Sequence, residues 1–538
     1  MADDNAVVAQ RARSERAFSA DSALTRLRSD AYDYVLPMRR AGGASRGKAV
    51  ADKIFDMTAP SSAMHLAGVL QRLLFSQPPS LTPGALVRQA AAANGRQGAQ
   101  ELAKLERELE RTGKFLYPFM EAGDLDTSTH EMCLDLGFGT GALLPLRGTP
   151  EQPIVFLAIP DEEIALSGDA WGRTTYVSWR RSVERGALLD ACPDWTYSED
   201  FRKAAKQGQS ATQEVTLYQD FYRMPDGRWR FVAYLDQQCD AFLATETYRT
   251  KPIATPRYYR VAGEIKGRGP ILLALPAIKT LNKAQELALK SAAIQMLGLW
   301  GYRSGAGFNP DTAALQPGAM FEMQSTGGVL GPDLTRLDPA SANFNIASIV
   351  IDGLQQQVRD GMMDTRLPEY TGTPKSASEM AARLKQNSQV HLGAYMRLYR
   401  EVHPDIIPRC AEILNSFGYL GGLMDFNQLI VSVGVRSPMA AALAAEKIQN
   451  IAAYADMMMQ LVGPQRLPER LDLDQAGDDI AEGLMIEKRL IPDEQARAAI
   501  RDQAAQQQAL AADAALAEKA APQIAGGMMR MIEGGRAA

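Results

Sequence analysis

Gly263-Glu264-Ile265-Lys266-Gly267-Arg268-Gly269-Pro270 decides how this chain is read, because it is a turn that opens a long helix. Proline is tolerated in a first helical turn, where its missing N–H has no intrahelical partner to lose. Residues 271–299 then hold no glycine before Gly298, and Pro276 is the only expected kink. Lys279, Lys283, Glu286 and Lys290 recur at helical spacing and share one face. Leu275, Ile278, Leu281, Ala288 and Leu289 supply apolar surface elsewhere on the same helix. Such a charged row is by itself a solvated face. It becomes a rung of charge lining a pore only if copies of the chain stand side by side in a ring.

Working outward, residues 301–340 are rich in Gly, Pro, Asn and Ser, with short apolar pieces such as Ala319-Met320-Phe321, which predicts loop and short strand. Helical spacing resumes at Phe344, Ile346, Ile349, Val350, Leu354 and Val358. Asp364-Thr365-Arg366-Leu367-Pro368-Glu369-Tyr370-Thr371-Gly372-Thr373-Pro374 cannot continue that helix past its prolines and glycine. Ser376 with Glu379 then reads as a capping box. Met380, Leu384, Leu392, Tyr395, Leu398, Tyr399 and Val402 carry apolar spacing as far as Pro404. A helix over 376–403 would be roughly 40 Å long at about 1.5 Å per residue. Helix, irregular segment, helix, polar loop and long helix describe a wall element rather than an active site.

The N-terminal part mixes helix and sheet. Helices are expected over 15–34 and 101–111, and on the alanine- and leucine-bearing stretch after Lys53-Ile54-Phe55-Asp56-Met57-Thr58-Ala59-Pro60. Residues 214–237 alternate around Met224-Pro225-Asp226-Gly227 and predict a hairpin, with further strands at 154–159 and 174–179. After Ser437 the composition shifts to Ala, Gln, Met and Glu, and helices are expected over 439–462 and 494–521. The fold class is α+β, predominantly helical.

Composition sets limits. The chain has 538 residues, 46% apolar and 22% charged, as an ordinary folded protein with several subdomains does. Cys133, Cys192, Cys239 and Cys410 lie far apart without a CxxC pair, which argues against a disulfide scaffold or zinc ribbon. No apolar run of about 20 residues suggests a membrane span. The N-terminus has no signal-peptide pattern. A net charge of −5 excludes a generally basic nucleic-acid binder but not local contacts with nucleic acid.

Two segments resemble enzyme motifs. Leu134-Asp135-Leu136-Gly137-Phe138-Gly139-Thr140-Gly141 looks like the glycine-rich loop of S-adenosylmethionine-dependent methyltransferases, and Asp161 follows the 154–159 strand. Pro145, Gly148, Pro150 and Pro153 leave no room for the crossover helix of a parallel βαβ unit, so a glycine-rich packing turn is the simpler reading. Gly42-Gly43-Ala44-Ser45-Arg46-Gly47-Lys48-Ala49 nearly spells a P-loop, but Ala49 stands where a Mg²⁺-binding hydroxyl is needed. His65, His130, His391 and His403 form no ligand-spaced cluster. No catalytic, cofactor or metal site is expected.

Three places, in order and spacing, resemble the portal, or head-to-tail connector, proteins of short-tailed bacteriophages. They are residues 53–79, closing in Gln77-Pro78-Pro79; Gly263-Glu264 with Gly267-Arg268-Gly269; and Thr371-Gly372 with Ser376-Ala377-Ser378-Glu379-Met380. The resemblance covers roughly residues 15–440. It implies a wing at 1–262, a first stem helix at 263–300, a clip at 301–340 and a second stem helix at 341–364. It further implies a channel loop at 365–375, a long helix returning to the wing at 376–436 and a helical crown at 437–538. It implies a dodecameric ring at one capsid vertex of the virion, assembled in the host cytoplasm from a non-enzymatic subunit. Double-stranded DNA would pass through it unread, beside Arg366 and Lys375 of the loop and Lys279, Lys283 and Lys290 of the stem. Terminase, capsid and scaffolding proteins and a tail adaptor would be its partners. The methyltransferase and a helical scaffold without a channel remain the alternatives.

Overall fold

A computed structural model describes residues 2–20, 22–39, 54–75, 78–236, 241–297, 299–302, 334–337, 344–364, 377–420, 431–434, 438–463 and isolated positions between 471 and 507. The chain divides into two units, Met1–Met439 and Ala440–Ala538. The first begins with helices α1 (Ala2–Ala20), α2 (Ser22–Val35) and α3 (Thr58–Phe75), strand β1 (Ser80–Pro83), then α4 (Ala85–Ala93), α5 (Gly95–Ala122) and α6 (Leu125–Leu136). A hairpin of β2 (Leu143–Arg147) and β3 (Ile154–Ala158) leads into β4 (Ile164–Gly168) and β5 (Thr174–Glu184). Short helices α7 (Arg185–Ala191), α8 (Glu199–Ala205) and α9 (Gly208–Ala211) precede β6 (Glu214–Arg223), β7 (Trp229–Leu235) and β8 (Ala244–Tyr248). Next come α10 (Pro270–Leu297), β9 (Leu299–Tyr302), β10 (Leu334–Leu337), α11 (Phe344–Gly361), α12 (Ala377–Ser416) and β11 (Val431–Gly434). Helix α13 (Pro438–Val462) supplies most of the described part of the second unit.

Strands β4 to β8 form an antiparallel meander in chain order. Side chains alternate across a sheet with a period of two, and here both faces are covered. Val177, Trp179, Leu217, Phe221, Phe231, Ala233 and Leu235 face one core with Leu188, Phe201 and Ala205 of α7 and α8. Tyr218, Val232 and Tyr234 of the opposite parity pack with Val7 of α1, and Tyr176 with Ala17. The 214–237 hairpin is therefore where alternation placed it. The expected helix over 15–34 is instead two helices, because α1 lies against the meander while α2 packs on α3 and α10.

The larger core joins α2, α3, α5, α6, α10, α11 and α12. Helix α12 overruns its expected stop at Pro404: it passes Pro404 and Pro408 and ends at Ser416. A helical proline forfeits one hydrogen bond and crowds the preceding turn. Here Ile406, Ile407, Cys410, Ala411, Ile413 and Leu414 are all buried, and tertiary burial of about 1.5–3 kcal/mol per large apolar side chain outweighs that loss. His403 also fixes this turn: its ring centroid lies 3.9 Å from that of Tyr399, tilted against it, and its Nε2 lies 2.9 Å from Leu74 O of α3. Because the carbonyl can only accept, Nε2 donates, and burial pushes the imidazole down to about 4, keeping it neutral.

Candidate functional site

Helices α10 and α11 pack against one another, and the root of α10 is set by two glycine clusters that pack together. Gly139 has φ of 143°. A Cβ there would lie 2.2 Å from Gly267 O, and one on Gly269 would lie 2.0 Å from Gly137 O. The bare backbones approach closely enough for Gly269 N to donate to Phe138 O (3.0 Å), Ile271 N to Gly137 O (3.1 Å) and Gly267 N to Thr140 Oγ1 (2.8 Å). The Tyr32 ring stacks on Phe138 at 3.9 Å.

This geometry removes the methyltransferase reading. Strands β2 and β3 on either side of residues 148–153 pair antiparallel, Arg147 with Ile154, so no parallel βαβ unit is built there. Asp161 binds no ribose: it is buried between Arg28 (Nε at 3.3 Å) and Lys266 (Nζ at 3.1 Å), beneath the same glycine interlock. The glycine-rich segment is a packing turn. The near P-loop at 42–49 lies outside the described residues.

A second buried carboxylate sits beside the interlock. Asp135 accepts from Tyr32 Oη at 2.9 Å and from Arg39 Nη2 at 3.0 Å. Burial lifts it to about 6 despite the opposing Arg39 charge.

From the root, α10 buries Ile271, Leu272, Ala274, Leu275, Ile278 and Leu281. Asn282 closes this buried stretch. Its Oδ1 accepts from Phe55 N (2.9 Å) and Asp56 N (3.2 Å), while its Nδ2 donates to Ile278 O (3.1 Å). Asp56 in turn accepts Gln355 Nε2 of α11 at 2.7 Å. Gly361 lies against Ala274 near the root, and Gln355 reaches the Asp56 that Asn282 holds further along α10, so the two helices run antiparallel.

Beyond Asn282 the environment changes. Leu287 and Leu289 are 55% and 52% exposed, and Ile349 and Val350 are 70% and 52% exposed. On α11 the buried side chain among the described residues is Val358, near the root. Lys283 and Lys290 both clasp Glu286, at 2.9 Å for Lys283, which confirms their shared face. Their hydrogen bonds hold the Glu286 carboxyl below its usual range, Lys290 first. Lys279 is separate from that clasp: it pairs with Asp30 of α2 at 2.7 Å and lies 5.6 Å from the Tyr34 ring. Arg366 and Lys375 lie outside the described residues, as does the expected cap Ser376. At the far end β9 and β10 pair antiparallel, Leu337 with Leu299, within the segment expected to hold short strands.

Sequence reasoning missed the tie through Asn282, Asp56 and Gln355, and it read the two glycine clusters separately. The signal for the second was present: Gly137, Gly139 and Gly141 and Gly267 and Gly269 share an alternate spacing that lets two backbones approach closely.

Among the described residues no group of three or more His, Cys, Asp or Glu could hold a metal ion, and no helix is long and apolar enough to cross a membrane.

Comparison with known proteins places this arrangement. No curated protein matches the chain. Among solved structures, a chain in the neck of an empty gene transfer agent particle, computed with C6 symmetry, is similar at 12% identity. That match covers 76% of this chain and 90% of the other, with a TM-score of 0.30. A chain from the virion of a native gene transfer agent particle is similar at 12% identity over 76% and 89%, with a TM-score of 0.29. The family model described as bacteriophage head to tail connecting protein matches residues 8–491, most of the chain. The chain therefore belongs to the bacteriophage head-to-tail connecting protein family, a structural family whose members join phage head to tail.

Proposed function

We propose that this connector is a portal: a dodecameric ring at one capsid vertex, through which double-stranded DNA enters during packaging and leaves during ejection. Helices α10 and α11 form the stem. Residues 301–340 form the clip that docks terminase and later a tail adaptor, 365–375 the channel loop, 1–262 the wing and 437–538 the crown. The subunit performs no chemistry of its own; the motor's ATP hydrolysis belongs to terminase.

The observation that carries this reading is the changed environment along the helix pair. Burying an apolar side chain stabilises by about 1.5–3 kcal/mol, and Leu287, Leu289, Ile349 and Val350 forgo this in the single chain. A closed ring of heterologous contacts would cover them with the next copy's stem. Lys283 and Lys290, exposed on α10 around a single Glu286, would together present net positive charge to DNA phosphates, whereas Lys279 is paired with Asp30. Arg366 and Lys375 would add repeated positive charge at the loop without reading bases.

Negative-stain electron microscopy of the purified protein with rotational averaging tests the reading. Twelvefold rings with a central hole are the expected result. Compact monomers, or filaments and rings without a hole, would overturn it, the latter in favour of a scaffold without a channel. Alanine at both Arg366 and Lys375 should leave rings intact and alter DNA packaging or retention.

A further inference from the structure

The end of α11 is built unlike a simple helix stop. Met363 N donates to Asp360 O (3.1 Å) and Asp364 N to Arg359 O (2.9 Å), wrapping the last turn tightly. That wrap puts Met363 at φ of 56°. Glycine is the usual residue at such a left-handed helix end, since a Cβ there is sterically strained. The chain instead places a methionine there and holds it by its side chain. Met363 Sδ accepts from the Tyr258 hydroxyl at 3.1 Å and lies 3.9 Å from that of Tyr259. The next residue, Asp364, has a side chain only 1% exposed. Ser62 Oγ of α3 donates to its Oδ2 at 2.6 Å, and His65 Nε2, one turn along α3, lies 3.8 Å from its Oδ1.

The turn is thus gripped from two sides, by the 258–259 segment and by α3. Helix α3 also receives α12 through His403, and the stretch just before it ties α10 to α11 through Asp56. One helix therefore references the chain on both sides of residues 365–376.

We infer that Met363 and Asp364 form a preset turn that fixes the direction in which the chain leaves α11, with Ser62 and His65 as its positioning residues. This rests on the reading of 365–375 as the channel loop, because the direction of exit then sets where that loop enters the channel. A strained backbone state persists only where its surroundings over-determine it, and such states concentrate at functional turns.

The test uses the full chain in its assembled form. Trypsin cuts after Arg366 and Lys375, and mass spectrometry reads each cut separately from one after Arg228, on the exposed β6–β7 turn. Ser62→Ala should speed cleavage after Arg366 about fivefold, the factor a lost hydrogen bond of about 1 kcal/mol sets, and Asp364→Asn, whose carboxamide oxygen still accepts from Ser62 Oγ, should speed it less. Cleavage after Arg228 should stay constant, and Ser62→Thr, which keeps the hydroxyl, should restore the slow rate. If Asp364→Asn fails to fold, Ser62→Ala carries the same contact. Unchanged cleavage after Arg366 in folded Ser62→Ala, or an equal rise after Arg228, overturns the turn whatever happens to DNA. Faster cleavage with wild-type DNA retention leaves the turn standing and overturns the channel reading of the loop.

Discussion

The two halves of the stem pair have one secondary structure and opposite requirements. Up to Asn282, α10 is core: glycine backbones clamp its start, six apolar side chains are buried and a shared carboxamide ties it to the stretch before α3 and, through Asp56, to α11. Past Asn282, leucine, isoleucine and valine stand in water beside a lysine–glutamate clasp. The proximal half is specified by this chain alone. The distal half leaves Leu287, Leu289, Ile349 and Val350 uncovered by this chain. Substitutions that act on one half and spare the other therefore measure how sharp that division is.

The largest effect is expected at the interlock. Gly269→Ala puts a Cβ 2.0 Å from a backbone carbonyl oxygen, and no flexible side chain can yield there. Backbone must move, so a loss of more than about 4 kcal/mol, or failure to accumulate folded protein, is expected by urea unfolding. Near-wild-type stability would mean that the two glycine clusters are not the seat of the helix pair.

The next effect depends on pH. Asp135 in the fold holds its proton up to about 6, well above the usual carboxylate range of about 4. A raised carboxyl pKa favours the folded state at low pH. This contribution is fully present below about 4, is lost as pH rises through about 6, and totals on the order of 3 kcal/mol. Relative to wild type, Asp135→Asn should therefore gain stability between pH 4 and pH 7. Paired denaturation curves at those two values check the sign. A gap that stays constant with pH would place the carboxylate's compensation with Arg39 rather than with a proton.

How much of this was legible follows from what each signal encodes. The 214–237 hairpin and α10 were readable because periodicity reports the buried face directly, and Pro270 marks a helix start. Helix α12 was cut short at Pro404 because local propensity cannot see Leu74 and the buried side chains around Cys410. The lysine row was placed on one face with Glu286, which Lys283 and Lys290 clasp, yet the partner of Lys279 was not foreseeable. Asp30 comes from a helix far away in sequence. The tie through Asn282 left no sequence signal, since an asparagine in a helix reads as a weak helix former until its backbone partners are known. Family membership was legible in the order and spacing of three segments, 53–79, 263–269 and 371–380, and the family model matches residues 8–491.

Asn282→Ala probes the boundary itself. It removes the acceptor of two backbone N–H groups, Phe55 and Asp56, and buried unpaired donors cost about 1–3 kcal/mol. That loss should appear in denaturant midpoints. An unchanged midpoint would mean that water replaces the carboxamide and that the division between halves is softer than the exposure change suggests.

The smallest effect on the isolated chain is expected from Leu287→Ser with Ile349→Ser. Both side chains are more than half exposed, so the folded monomer should change by no more than about 0.5 kcal/mol. Their effect should appear only in assembly, because a contact repeated around a closed ring multiplies a small loss at every interface. Sedimentation of the double variant beside wild type separates the cases. Fewer rings at unchanged monomer stability would assign the distal half to the neighbouring copy. Rings at wild-type yield would show that the exposed apolar row contributes nothing to closure, and the contrast between the two halves would then describe burial alone.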